Sequence, residues 1–228
     1  TINDDAAVGV VAHGGARNVA NHLIFGSVIN CQFIGDHNLT FSGPANLGTV
    51  ASRTFTITNA STTVTLSGVI TNTTTTSITK AGPGTLVFSG ANEQAASVTI
   101  SAGKFLVNNT TGSGNGTGNV TINSTGTFGG SGSITGTVAV NNGGTLAPGT
   151  SHGTLTTGNQ TWAGGGKYQW EINDADSAAG ADPGWDKVDI NGTLNITATS
   201  GSKFIIDITS LTTGNVAGPV ANFNNETS

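Results

Sequence analysis

The sequence predicts an all-β fold organised as a β-solenoid, in which short strands stack coil upon coil. Three observations lead there. Val, Ile and Thr recur at every second position over short stretches, the pattern of strands with one buried face. Gly supplies 35 residues and gathers with Asn and Ser between those stretches, where the chain must turn. Related strand–turn–strand units also follow one another at similar but unequal intervals.

The units are clearest in the middle of the chain. Val98-Thr-Ile100 is followed by Ser-Ala-Gly and Phe105, Val120-Thr-Ile122 by a Gly-containing turn and Phe128, and Val138-Ala-Val140 by Asn-Asn-Gly-Gly-Thr and Leu146. The step from Val98 to Val120 is somewhat longer than the step from Val120 to Val138. Uneven spacing in a narrow band suits coils whose corners vary in length, whereas a propeller blade needs about 40–45 residues. Residues 78–109 accordingly read as successive coils, with strands at Thr85–Ser89 and Ser97–Val107.

The remaining elements follow in order. Residues 1–40 are the least β-like, and GVVAHGGARNVANHL reads as a cap, one short helix or the start of the solenoid. Residues 41–228 read as solenoid, beginning with NLTFSG and RTFTITNASTTVTLSGVI. Strand repeats are clearest at 78–149, and strands resume over 160–209. Asn191-Gly192 is the best candidate for a true hairpin turn. No stretch holds a 3.6-residue period for three turns. Asn, Ser and Thr at equivalent places in successive coils can hydrogen-bond as ladders, which favours parallel stacking. At roughly 20 residues per coil the chain makes about ten coils and a rod about 50 Å long. Both ends are then open sheet edges, and an open edge is a template for another chain.

Composition excludes several functions. The net charge is −5 and only seven Lys and Arg are present, Arg17, Arg53, Lys80, Lys104, Lys167, Lys187 and Lys203. That leaves no basic footprint for nucleic acid or for an anionic membrane surface. No apolar run approaches the eighteen or so residues of a membrane-spanning helix. The single cysteine, Cys31, forbids an internal disulfide framework and reads as a small buried apolar residue. The absence of an initiator Met and of a charged-then-apolar leader is what a processed or excised piece would show.

The stretch ITKAGPGTLVFSGAN…VTISAGKFLVNN resembles the autotransporter-associated β-strand repeat family. Thr79, Lys80, Gly82, Gly84, Thr85, Leu86, Ser89, Gly90, Asn92, Thr99, Ile100 and Gly103 fall on that family's pattern. Glu93–Ala96 depart from it, where the family often has a Tyr-Thr-Gly turn. The run GSGSITGTVAVNNGGTLAPGTSHGTLT is similar to the family's continuation, and residues 160–209 look like the C-terminal part of such passenger domains. The resemblance covers residues 78–209 and implies a right-handed parallel β-helix, exported and displayed outside a Gram-negative-type bacterium. It implies no particular activity.

Few residues invite chemistry. The Asp-rich loop Asn173-Asp174-Ala175-Asp176…Asp182-Pro183-Gly184-Trp185-Asp186 offers oxygens for calcium, but it lacks EF-hand spacing and a closing Glu. Local turns made by the Asp side chains are the plainer reading. Trp162, Tyr168, Trp170 and Trp185 could stack on sugars or close the core; Tyr168, Trp170 and Ile172 share one strand face. Glycoside hydrolysis would need two facing carboxylates, for which Asp189 and Asp207 are the strand-borne candidates. Eliminative chemistry would need a basic group beside carboxylates, and no Lys or Arg is evidently placed one coil from one. Ser151-His152 and Asp36-His37 contain the residue types of a triad without a nucleophile elbow around the serine. Triplets such as Asn59-Ala60-Ser61 are expected by chance in this composition.

The sequence therefore predicts a non-catalytic extracellular structural or adhesive β-helix module, with no catalytic, cofactor or metal residues assigned. It is expected to contact surface glycans or to self-associate through its end coils into filaments. The alternative is a carbohydrate-binding or polysaccharide-degrading β-helix.

Overall fold

The computed structural model describes residues 8–71, 76–92 and 97–224. Its regular elements are all strands, and the chain is a parallel β-helix. One nine-stranded sheet stacks Val8–Val10, Asn30–Phe33, Ser52–Ile57, Ser77–Ala81, Val98–Ile100, Val120–Ile122, Val138–Val140, Gln160–Trp162 and Leu194–Ile196. A second stacks Arg17–Val19, Leu39–Phe41, Thr63–Leu66, Thr85–Phe88, Gly103–Val107, Gly126–Gly130, Thr145–Pro148, Lys167–Ile172 and Ile205–Ser210. Each coil contributes one strand to each of these two faces. Nine coils separated by eight strand spacings of about 4.8 Å make a rod of about 40 Å, slightly shorter than the spacing of the sequence repeats implies.

Alternation explains why these residues form these strands. Inward positions build two continuous columns. Cys31, Phe55, Lys80, Ile100, Ile122, Val140, Trp162 and Ile196 follow one another up the first face. Leu39, Val64, Leu86, Phe105, Phe128, Leu146, Tyr168 and Ile206 do so up the second. The Val98–Val120–Val138 and Phe105–Phe128–Leu146 alignments read from the sequence are the observed registers. Phe105 stacks on Phe128 at 5.8 Å and meets Phe88 edge-on at 5.0 Å. Such aromatic pairs add roughly 0.5–1.5 kcal/mol beyond the area they bury.

Coil length changes along the rod. The steps Val8 to Cys31, Cys31 to Phe55 and Phe55 to Lys80 are each longer than any of the four steps from Lys80 through Ile100, Ile122 and Val140 to Trp162. The longer coils carry a third strand: Leu23–Ile24, Ala45–Asn46 and Ile70–Thr71 form a small parallel sheet. The coils from Lys80 to Val140 replace it with Gly- and Asn-rich turns, and a third strand returns at Thr154–Thr157, which pairs with Lys187–Ile190 of the next coil. Asn92 shows how those turns are tied, for its Oδ1 accepts from Ile70 N at 2.7 Å and its Nδ2 donates to Gly114 O at 2.6 Å. One buried amide thus links three successive coils. Asn119 and Asn159 accept from the Thr137 and Thr193 amides of the next coil at 2.9 and 2.8 Å, and Asn141 donates to Asn123 at 2.9 Å. These are the ladders that the polar composition implied.

Three expectations need correction. No helix forms in GVVAHGGARNVANHL; Val8–Val10, Arg17–Val19 and Leu23–Ile24 are strands of the solenoid. Gly14 and Gly15 hold φ of +66° and +130°, outside any right-handed helix. Asn191-Gly192 is not a hairpin turn. Lys187–Ile190 pairs in parallel with Thr154–Thr157, and Leu194–Ile196 pairs in parallel with Gln160–Trp162. The dipeptide turns a corner against Asn159 of the coil before, and matched hairpin strands are never brought together. Ser97–Val107 is two strands on different faces, broken at Ser101-Ala102, and the second strand opens on Gly103. There φ is +68° and a Cβ would lie 2.4 Å from Gly82 O, so only glycine lets the coils approach. The departure at Glu93–Ala96 lies outside the described residues. Among the described residues no helix is long and apolar enough to cross a membrane.

Candidate functional site

Four regions gather the side chains that could carry chemistry. In the first, the strand Ser77–Ala81 turns Ile78 and Lys80 inward, so Lys80 occupies an apolar slot of the first column. Its Nζ donates to the carbonyls of Ala81, Gly82 and Ala102 at 2.9, 2.8 and 3.0 Å. Burial lowers the amine to about 8, while three acceptors match the three N–H groups of an ammonium. This is a corner clamp joining adjacent coils. The sequence carried the signal: Lys stands where Ile100 and Ile122 stand in the following coils.

The second is Arg53, also fully buried. Its Nη2 donates to Leu47 O at 2.6 Å and its guanidinium lies 5.0 Å above the Phe25 ring. Nε and Nη1 have no hydrogen-bond partner, and burial lowers the group to about 10. Cys31 nearby is wholly buried, and burial pushes its thiol up to about 12, so it is an inert core residue as the sequence implied.

The third is the Asp-rich insert of the long coil between Trp162 and Ile196. Asp174 Oδ1 accepts from Asn222 Nδ2 and from Asp176 N, both at 3.0 Å, and these bonds hold its carboxyl below the usual range. Asp182 accepts from Asn215 at 2.8 Å and from Asn173 at 3.0 Å, with the same effect. Asn173 is fully buried and also accepts from Gly184 N at 2.7 Å, closing the loop on itself. Asp186 differs. It is buried, and its two oxygens accept from Gly153 N at 3.1 Å and Glu171 N at 3.0 Å. Burial raises its carboxyl to about 7 against the pull of these two amides, with the Glu171 charge adding to the rise. Among the described residues no three His, Cys, Asp or Glu side chains gather as metal ligands.

His152 lies beside this insert with its side chain wholly buried. Ser151 Oγ is 3.3 Å and Asp182 Oδ1 is 3.7 Å from the same ring nitrogen, Nδ1, while Nε2 has no partner. A relay triad needs serine and carboxylate on opposite nitrogens, so the geometry is not that of one. Asp36 and His37 pair with each other at 3.5 Å near the N-terminal coils, on a shallow groove shared with His13. Asp189 and Asp207 extend from strands of different sheets, and each binds a lysine at 2.9 Å, Lys187 and Lys167 respectively. Lys167 and Asp207 are on adjacent coils, so a cation does stand one coil from a carboxylate, contrary to expectation. Stacking joins two residues far apart along the chain, which linear spacing hides.

The fourth region is the C-terminal end of the rod. Trp162 is buried and stacks on Phe204 at 4.5 Å, with Tyr168 5.8 Å away and half-buried against the core. Burial pushes the Tyr168 hydroxyl well above its ordinary range. Trp170 is half-buried and donates through Nε1 to Asp186 O at 2.8 Å. Trp162 and Tyr168 therefore close the core, and Tyr168, Trp170 and Trp185 each keep part of their surface free. Beyond them the columns run out into solvent. Leu194, Ile196, Ile206 and Ile208 are 41, 57, 52 and 68% exposed. A recess of about 620 Å³ beside them is walled by Trp170, Ile172, Ile208, Pro219, Val220 and Phe223. The sequence hides this apolar row, because the strands alternate just as buried ones do.

No known protein family and no curated protein matches the sequence.

Proposed function

We propose that the chain is a non-catalytic structural or adhesive rod on the extracellular side of a Gram-negative-type bacterium, and that it lengthens by end-on self-association. The observation that carries this reading is the stack itself, two nine-stranded parallel sheets in continuous register. Each coil gains its stability from its neighbours, and the edge of a parallel stack favours addition of another β unit. The clamps at Lys80 and Asn92 support a mechanical role, since they tie coils together with buried, directional bonds. The likeness of residues 78–209 to autotransporter-associated repeats supports export and surface display. An adhesive version would engage surface glycans through Trp170 and Trp185.

Electron microscopy with light scattering over a concentration series tests the reading. Short rods of about 40 Å, the length of nine stacked strands, should give way at higher concentration to longer particles of the same width. Particles that stay single at the highest concentration would remove self-association and leave an isolated rod.

A further inference from the structure

We infer that the outward face of the first nine-stranded sheet is an ice-binding surface. The inference is independent of the end-on lengthening proposed above, since it concerns the flank of the middle coils. Its basis is a grid of hydroxyl and amide side chains that the fold presents to solvent in strict register.

The strand pairing defines the grid. Thr54, Thr79, Thr99, Thr121, Ala139 and Thr161 follow one another up the outward side of the sheet, one per coil. Each is half-buried between its neighbours. Two residues earlier in each coil stands a second, exposed column that includes Ser77, Ser97, Asn119, Thr137 and Asn159. The two columns repeat about every 4.8 Å along the axis and lie about 6.6 Å apart along each strand. Over these coils neither column holds a charged or an aromatic side chain.

These threonines are more than good strand formers. The same coils build the second sheet, whose outward positions carry Lys104, Leu106, Lys167 and Glu171 beside Thr127 and Thr145. Strand propensity alone would fill both faces alike. The hydroxyls of the first face are also unengaged. Among the described residues, no hydrogen bond within the chain uses the hydroxyl of Thr54, Thr79, Thr99, Thr121 or Thr161, whereas those of Thr62, Thr76 and Thr135 donate to carbonyls of the coil before. A β-branched side chain is stiff at χ1, so these hydroxyls are held in place before anything binds. The flanking column is pinned as well, for Asn119 and Asn159 accept from the Thr137 and Thr193 amides at 2.9 and 2.8 Å. Side-chain ladders of this kind keep a many-stranded sheet flat.

The chemistry of the face selects its occupant. Without charge it has nothing to draw an ion or a polyelectrolyte, and it fits an uncharged surface. Sugars are held by stacking on aromatic rings and protein partners by Trp, Tyr or Arg anchors, and the two columns offer none of these. What they offer is a rigid, neutral array of hydroxyls and amides, with threonine methyls between, repeating in two directions. Liquid water meets such an array one molecule at a time, whereas ice presents oxygens at fixed repeats of similar size. Groups fixed beforehand lose little freedom on meeting that lattice. Coils in register engage it together, so individually weak contacts add as in any multivalent attachment. A charged side chain would orient water around itself and spoil the match.

Growth of ice from a solution of the chain tests the inference. The wild-type chain should be taken up into slowly growing ice and should facet small crystals held just below the melting point, whereas a protein without affinity for ice is excluded. Thr121→Cys and Thr145→Cys, each capped after folding with a bulky maleimide, place the same block on the first and the second sheet; Cys31 is buried and does not compete. Both should keep the wild-type circular dichroism melt. Capped Thr121→Cys should be excluded from the ice, and capped Thr145→Cys should be taken up as the wild type is. Exclusion of the wild-type chain would overturn the inference, as would uptake of capped Thr121→Cys. Loss of uptake in both capped variants would overturn the assignment to the first sheet.

Discussion

The coil holding Ile100 and Phe105 and the coil holding Ile196 and Ile206 occupy the same two columns, yet the first pair is wholly buried and the second is about half exposed. Both coils have alternating strands of similar chemistry. What separates them is only whether another coil lies on the far side. In this fold a residue's energetic weight is set by its neighbours along the axis, and its own strand decides merely which way it points.

That comparison predicts unequal costs for similar truncations. Phe105→Ala removes a ring packed between Phe88 and Phe128 and should cost about 3–5 kcal/mol, read as a lowered urea midpoint with an unchanged slope. A loss below about 1 kcal/mol would mean the middle coils are loosely packed.

A second prediction concerns the insert that closes the last coil. Asp186 titrates at about 7 when folded and near the ordinary carboxylate value when unfolded. Between those values the folded chain holds the proton and the unfolded chain has released it. The stability contributed by Asp186 is therefore greatest at about pH 4 and falls by a few kcal/mol as the pH rises to about 8. Asp186→Asn should flatten that slope in thermal melts, and a wild-type melt insensitive to pH over this window would contradict it.

The smallest effect belongs to the end itself. Ile208→Ala in the dilute single chain should change stability by less than about 0.5 kcal/mol, because the side chain is already mostly in water. If it costs as much as a core truncation, the last coil is covered in solution and the comparison fails.

Much of the solenoid is legible in the sequence because its period-2 strands and Gly turns repeat within one chain. Val98, Val120 and Val138 can be superimposed by eye, and the structure pairs them. The N-terminal coils are harder to read, because their strands are short and Gly14 and Gly15 interrupt them. Asn191-Gly192 misleads because a favoured hairpin dipeptide also serves at a coil corner, and only the partner strand distinguishes the two. Lys80 reads as a motif letter and not as a clamp, since its three acceptors come from a corner and from the next coil. The Lys167–Asp207 pair and the Asp186 bonds to Gly153 and Glu171 are invisible for the same reason. They join residues close in space and distant in sequence.

One last consequence follows from the unequal coils. The short step from Ile122 to Val140 and the long one from Trp162 to Ile196 return the chain to the same column. The surplus is taken up outside the two main sheets, as a third strand near the N-terminus and as the Asp-rich insert near the C-terminus. Loops can therefore be lengthened, shortened or exchanged at those corners without resetting a core position. The rod combines a conservative interior with corners at which chain length is free to drift.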